Sequence, residues 1–204
     1  MGFDHEAASY DAGRMLVGAA VTYLRRYGDY ANGGSSKNHS AGVTLYGTHI
    51  GNNGMYADIT LKASRMHNKF TAVSDMNRYV SKGRFNTYAV QTGVEAGKRF
   101  TFGAEENWFV DPQVQILYGN IRHTSFKTDT GVTAHVKSMN SLIGRAGVGA
   151  GYKAKQGSEF IRADALREFT ADYKVDYSVK NARNQSKVDL KDTWGEISAG
   201  AISI

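Results

Sequence analysis

Along most of the chain, apolar and polar residues alternate one by one. In 54–69, Met55, Ala57, Ile59, Leu61 and Ala63 share one side, while Tyr56, Asp58, Thr60, Lys62 and Ser64 share the other. In 107–122, Trp108, Val110, Pro112, Val114, Ile116 and Tyr118 oppose Phe109, Asp111, Gln113, Gln115 and Leu117. In 140–154, Leu142, Ala146, Val148, Ala150 and Tyr152 oppose Arg145, Gly147, Gly149 and Gly151. In 158–171, Ile161, Ala163 and Ala165 oppose Arg162, Asp164 and Glu168. A period of two puts successive side chains on opposite faces of an extended backbone, so these segments are predicted strands. The same reading gives full strands at 13–28, 38–50, 54–69, 83–99, 107–122, 140–154, 158–171 and 189–204, and a partial strand ending near Phe3-Asp4.

The connections alternate too. Gly51-Asn52-Asn53-Gly54 is a tight turn, and the next gap is the longer stretch 70–83. A short link at Gly103-Ala104-Glu105-Glu106 precedes the long 122–140, and the short Gln156-Gly157-Ser158 precedes the long 171–189. Antiparallel strands run up and down, so every second connection lies on the same side. Long loops on one side and short turns on the other are the signature of an outer-membrane β-barrel. The expected class is all-β, an antiparallel up-and-down transmembrane barrel. Strands of about 15 residues exceed the roughly 9–11 that cross a bilayer, and the excess is expected to project on the long-loop side.

Aromatics at the ends of the apolar face (Trp108, Tyr118, Tyr152) fit an interfacial girdle facing lipid. Glycine, glutamine and unlike charges on the other face suit a hydrated lumen. A soluble barrel inverts this arrangement, with apolar residues inside and charges outside. Periodicity does not say which face points inward, so a soluble antiparallel barrel binding a small apolar ligand is the alternative.

Composition narrows the classes. The 204 residues read as one domain, 1–204, with 23 glycines, a single proline at Pro112 and no cysteine. The glycines lie within strand-like runs, against a disordered chain. The lack of cysteine excludes a disulfide framework and thiolate metal sites. No run of about 18 apolar residues is present, which excludes a transmembrane helix and leaves barrel strands untouched. The net charge of +6 comes from scattered lysines and arginines without a nucleic-acid motif, so no nucleic-acid partner is expected. The start Met1-Gly2-Phe3-Asp4 is neither a signal peptide nor a myristoylation site, since Glu6 stands where Ser or Thr is required. An exported protein needs its signal elsewhere, which points to a piece of a longer chain.

No catalytic constellation emerges, and the chain is not expected to be an enzyme. Gly144-Arg145-Ala146-Gly147-Val148-Gly149-Ala150-Gly151 lacks the following helix that a phosphate-binding glycine loop needs. Alternating glycines there are expected to make a smooth lumen face with room for a neighbouring segment. The six histidines are dispersed without ligand spacing, so neither a metal nor a cofactor is expected. Asp164 and Glu168 stand about 13 Å apart on one face, too far for a glycosidase pair. They are expected to pair with Arg145 and Arg162.

Several stretches resemble the autotransporter β-domain, the translocator of type V secretion. They are Gly42-Val43-Thr44-Leu45-Tyr46-Gly47-Thr48, Gly54-Met55-Tyr56-Ala57-Asp58, Gly97-Lys98-Arg99-Phe100 and Val110-Asp111-Pro112-Gln113-Val114-Gln115. Ser141-Leu142-Ile143-Gly144-Arg145, Ala165-Leu166-Arg167-Glu168-Phe169 and Asp192-Thr193-Trp194-Gly195-Glu196 follow in order. The resemblance implies a twelve-stranded barrel in the bacterial outer membrane, of which this chain shows about eight to nine strands. It also implies export of an N-terminal passenger whose linker threads the lumen, with the lipid bilayer and the outer-membrane assembly machinery as further partners. On that view Lys62, Glu95, Asp111, Arg145, Arg162, Asp164 and Glu168, with Gly147, Gly149 and Gly151, form the surface facing passenger or linker. The family's first strand, its last two strands and its terminal aromatic have no counterpart here, consistent with a fragment.

Overall fold

The computed structural model describes residues 2–31, 33–74, 79–154 and 156–203. Every regular element among them is a strand. In chain order these are β1 (Gly2–Tyr10), β2 (Gly13–Asp29), β3 (Ser35–Gly51), β4 (Met55–Val73), β5 (Val80–Lys98), β6 (Phe100–Phe102) and β7 (Trp108–Ile121). Then come β8 (Thr124–Lys127), β9 (Thr133–Val136), β10 (Met139–Ala154), β11 (Gly157–Glu168), β12 (Asp172–Val179), β13 (Ala182–Asp189) and β14 (Thr193–Ser203).

Two antiparallel sheets result. The large sheet runs β1-β2-β3-β4-β5-β7-β10-β11-β14, with short β6 beside β7, and the small one runs β13-β12-β9-β8. Neighbours along the large sheet are consecutive in the chain apart from the small-sheet insertions, as an up-and-down meander requires. Strands β1 and β14 form its two edges, and among the described residues no pairing joins them. At 19 residues each, β4 and β5 are far longer than the roughly 9–11 residues that cross a bilayer.

Burial decides the question that periodicity left open. The apolar set is the exposed one: Ile59 is 57% accessible, Val114 59% and Ile116 62%, against 7% for Asp111 and 8% for Gln113. The polar face is therefore the inner face, the inverse of a soluble barrel, and the apolar-ligand alternative finds no support. On β7, Trp108 and Tyr118 bracket the outward Val110, Pro112, Val114 and Ile116. Ten residues span about 33 Å of strand, which at a tilt near 40° gives about 25 Å of height, the apolar band of an outer-membrane barrel.

The structure corrects several expectations. The stretch 70–83 is mostly a continuation of the β4–β5 ladder, with Phe70 opposite Gly83 and Val73 opposite Val80. Its residues 75–78 lie outside the described ones, as does Ile204 of the strand expected at 189–204, which begins instead at Thr193. The stretches 122–140 and 171–189 are not irregular loops but carry β8, β9, β12 and β13. At the N-terminal end, β1 continues to Tyr10 rather than ending near Asp4.

The small sheet has its own apolar core of Ala134, Val136 and Val175, with Phe126 packed against it. Phe126 stacks on Phe85 at 4.7 Å and meets Phe70 edge-on at 5.6 Å, both from the inner face of the large sheet. These rings tie the small sheet over the long-loop end of the meander. Beneath it lies a cavity of about 930 Å³, lined by inner-face residues such as Lys62, Gln91 and Ser141 and by Tyr173 and Val175 of β12.

Candidate functional site

Continuous registers align inner-face residues in rows across the strands. One row runs Thr48, Asp58, Glu95, Gln115, Arg145, Leu166, Trp194 from β3 to β14. The next, toward the short turns, runs Tyr56, Gly97, Gln113, Gly147, Asp164, Glu196, and beyond it lie Asp111, Gly149, Arg162 and Ser198. Long charged side chains on one row reach the next across glycine.

The centre of the network is Arg145. Its Nη2 donates to Glu95 Oε2 at 2.5 Å, and its Nε lies 3.8 Å from Asp164 Oδ1. Arg162 Nε donates to both carboxylate oxygens of Asp164, at 3.0 and 2.8 Å. Gln115 Nε2 donates to Glu95 Oε2 at 3.1 Å, and the Tyr56 hydroxyl to Gln113 Oε1 at 3.0 Å. Arg99 grips Asp111 Oδ2 through Nε and Nη2 at 3.2 and 2.8 Å and stacks over the Phe109 ring. Partly buried charges persist only when paired and hydrogen-bonded, and this cluster satisfies most of them. Within this network three buried polar atoms make no hydrogen bond to a described residue: Asp111 Oδ1, Arg162 Nη2 and Arg145 Nε, the last facing Asp164 only at ion-pair distance.

The expected site residues do not all meet. Glu95, Arg145, Arg162 and Asp164 come together, with Asp111 close by through its own arginine. Glu168 leaves the network. It sits at the end of β11, where its carboxylate accepts from the Ser141 hydroxyl and from the backbone N–H groups of Leu142, Thr170 and Ala171. It therefore fastens the β11–β12 connection to β10 instead of pairing with an arginine. Lys62 makes no ion pair among the described residues and lines the cavity. Trp108 and Tyr152 meet edge-on at 5.0 Å on the outer face at the short-turn end, and Tyr118 lies on the same face toward the other end.

The glycines of β10 serve differently from one another. A Cβ on Gly147 overlaps the Asp164 carboxylate, and one on Gly151 overlaps the Glu159 carbonyl oxygen and comes 2.5 Å from the Phe109 ring, whereas Gly149 has only ordinary contacts at 3.7–3.9 Å. The room is thus taken largely by cross-strand side chains of the barrel itself. The pattern recurs: Tyr46 lies over Gly18, Tyr56 over Gly97, Phe70 over Gly83 and Phe160 over Gly200, each pair directly opposed in register. An aromatic ring covering a glycine stiffens a sheet that has no apolar interior to fill.

Tyr56, Arg99 and Gln115 are members that sequence reasoning did not single out. Arg99 shares the parity of Glu95 and Gly97, so the alternation placed it on the inner face, but only the register puts it beside Asp111.

The autotransporter beta-domain family model matches residues 1–202. The chain belongs to this family. It is 30% identical over 174 residues to the pertactin autotransporter of Bordetella bronchiseptica, covering 83% of this chain and 19% of that protein. Against the probable autotransporter YcgV of Escherichia coli K12 it is 28% identical over 177 residues, covering 84% of this chain and 18% of that protein. The fold matches the β-domain of the Bordetella autotransporter BrkA with a TM-score of 0.73 at 20% identity, over 98% of this chain and 86% of that one. It also matches the translocator domain of NalP from Neisseria meningitidis, with a TM-score of 0.66 at 12% identity over 98% and 76% of the two chains. This autotransporter β-domain is an outer-membrane translocator, and its task is transport rather than catalysis. The chain spans about a fifth of the length of the curated relatives it matches.

Proposed function

We propose that this β-domain anchors and exports an N-terminal passenger, and that the passenger's linker runs along the inner-face network while the outer face meets lipid. The observation that carries this reading is the placement of charge. A wall with Glu95, Arg145, Arg162, Asp164 and Asp111 inside and Ile59, Val114 and Ile116 outside suits a hydrated conduit in a bilayer. Asp111 Oδ1 and Arg162 Nη2, which make no hydrogen bond to a described residue, offer an acceptor and a donor to a polar segment passing through. Gly149, where an added Cβ meets only ordinary contacts, leaves a smooth patch beside them. Edge amides of β1 and β14 need partners during insertion, because an unpaired backbone group in hydrocarbon costs several kcal/mol. We assign their handling to the outer-membrane assembly machinery.

The test is a pair of photoreactive residues in the full-length protein, one at Gln91, which lines the cavity, and one at the adjacent outward-facing Val90. During export, Gln91 is expected to capture the protein's own linker and Val90 to capture lipid. Capture of the linker from Val90 and never from Gln91 overturns the reading.

A further inference from the structure

Outside the apolar band, the face of β2–β5 turns abruptly basic at its long-loop end. The row Val21, Val43, Ala63, Val90 is apolar, and the next row, Tyr23, Ala41, Arg65, Tyr88, brings the aromatic girdle. Two residues further along come Arg25, His39, His67 and Asn86, then Tyr27, Lys37, Lys69 and Arg84, with Lys82 on the row above. The six cations are all exposed and share the parity of the apolar outer face. None of them is in a salt bridge with a described residue; the one carboxylate in the same rows, Asp29, stands at the outermost row on β2.

Lys37, Lys69 and Arg84 are directly opposed on three successive strands. Like charges directly opposite one another destabilise a sheet. Such a row persists when an external anion bridges it. Depth identifies the anion's source. The two basic rows lie about 7 and 13 Å along the strand from the girdle, or about 5 and 10 Å above it at barrel tilt, the level of lipid headgroups. Arg25 over the Tyr23 ring (5.3 Å) and Arg65 over Tyr88 (5.9 Å) hold two of the cations against the girdle, and Lys37 over Tyr27 (5.8 Å) is held within the outer row. Among the described residues the short-turn end shows no such belt: there Lys98 stands over Phe100, and an acid, Glu159, is exposed.

We propose that this belt is a binding site for phosphate-bearing lipid headgroups of the outer leaflet. Arg65 and Arg25 sit at the acyl boundary, and Lys37, Lys69 and Arg84 converge on the phosphates. The lipid then neutralises the repulsion built into the rows and pins the β2–β5 face at a fixed depth.

The experiment uses the intact autotransporter in neutral detergent, with diphosphoryl lipid A titrated in and binding read by native mass spectrometry and thermal shift. Fully dephosphorylated lipid A and inorganic phosphate are the controls. The triple variant K37Q/K69Q/R84Q is expected to bind about a hundred-fold more weakly, about five-fold for each charge removed. In neutral detergent alone it should be at least as heat-stable as the parent, since repulsion is relieved. The charge-preserving K37R/K69R should bind as the parent does. If the triple variant fails to fold, the single K69Q is read the same way against a five-fold expectation. Equal binding of the phosphorylated and dephosphorylated lipids overturns the proposal. Undiminished binding by the variants does so too, as does equal stabilisation by inorganic phosphate, which would mark a simple anion site.

Discussion

An arginine placed on either of two adjacent residues separates the outer from the inner face. Ile59 lies on the outward face of β4, four residues from the end of the strand at Met55 and six from the girdle row of Arg65, and is 57% exposed. Its cross-strand neighbours are Gly47 and Val94, both without charge. An arginine here enters the hydrocarbon midplane and costs about 2–4 kcal/mol, or roughly 30- to 1,000-fold in the folded-to-unfolded ratio. Thr60 points the other way, beside Gly93, with Asp58 and Lys62 two residues away on the same face. An arginine there meets water and a nearby carboxylate, so its cost should stay below about 1 kcal/mol. The assay is reversible urea unfolding of the intact translocator in liposomes, followed through Trp108 and Trp194 fluorescence. A larger loss for Thr60→Arg than for Ile59→Arg would refute the assignment of faces.

Gly147→Ala, whose new methyl overlaps the Asp164 carboxylate, should lower stability by about 1–3 kcal/mol, while Gly149→Ala changes it by less than about 0.5 kcal/mol; equal unfolding midpoints would show that Asp164 is not held against β10. Val175→Ala, at a position 2% exposed in the small-sheet core, should loosen that sheet by about 1–3 kcal/mol. Limited proteolysis should then cut within 122–138 and 170–192 while the unfolding midpoint of the large sheet stays put. The small sheet also carries three depressed carboxylates. Asp172 is held low by Lys187, Asp176 by Gln185 and then Lys137, and Asp189 by the backbone and side chain of Lys191. Their folded-state pKa values lie below the unfolded ones, so their contribution is fully present above about pH 4 and is lost as pH falls through the folded values. Hydrogen exchange of β12 and β13, corrected for intrinsic rates, should be unchanged between pH 7 and 5 and rise only below that window. Opening between pH 7 and 5 would contradict it.

Much of this architecture was legible in the chain because a strand writes its two faces into alternate residues. Met55 to Ala63 and Trp108 to Tyr118 sorted themselves by parity, and the turn at Gly51-Asn52-Asn53-Gly54 appeared as a break in that parity. There Gly54 has φ 81° and its carbonyl accepts from Arg99 N–H at 2.8 Å. Strands were least legible where alternation weakened. Polar runs such as Ala182–Asp189 read as loop, although they pair along their full length with β12. Residues 70–73 and 80–82 were hidden in the same way.

Sequence by itself determined the period of two, the up-and-down order and the family, since all three depend on residues close along the chain or on motifs kept in order. Tertiary structure alone decided which face is inside, because alternation is symmetric under exchange of faces and only burial breaks that symmetry. It alone decided partners as well. Arg145 is 50 residues from Glu95 and Glu168 is 27 from Ser141. A shift of register by one residue exchanges the faces, and a shift by two changes every opposite residue. Hence Arg145 reached Glu95 past Gln115 and faced Asp164 beside Gly147, Glu168 was claimed by backbone amides, and Lys37, Lys69 and Arg84 lined up in a row that no stretch of sequence displays.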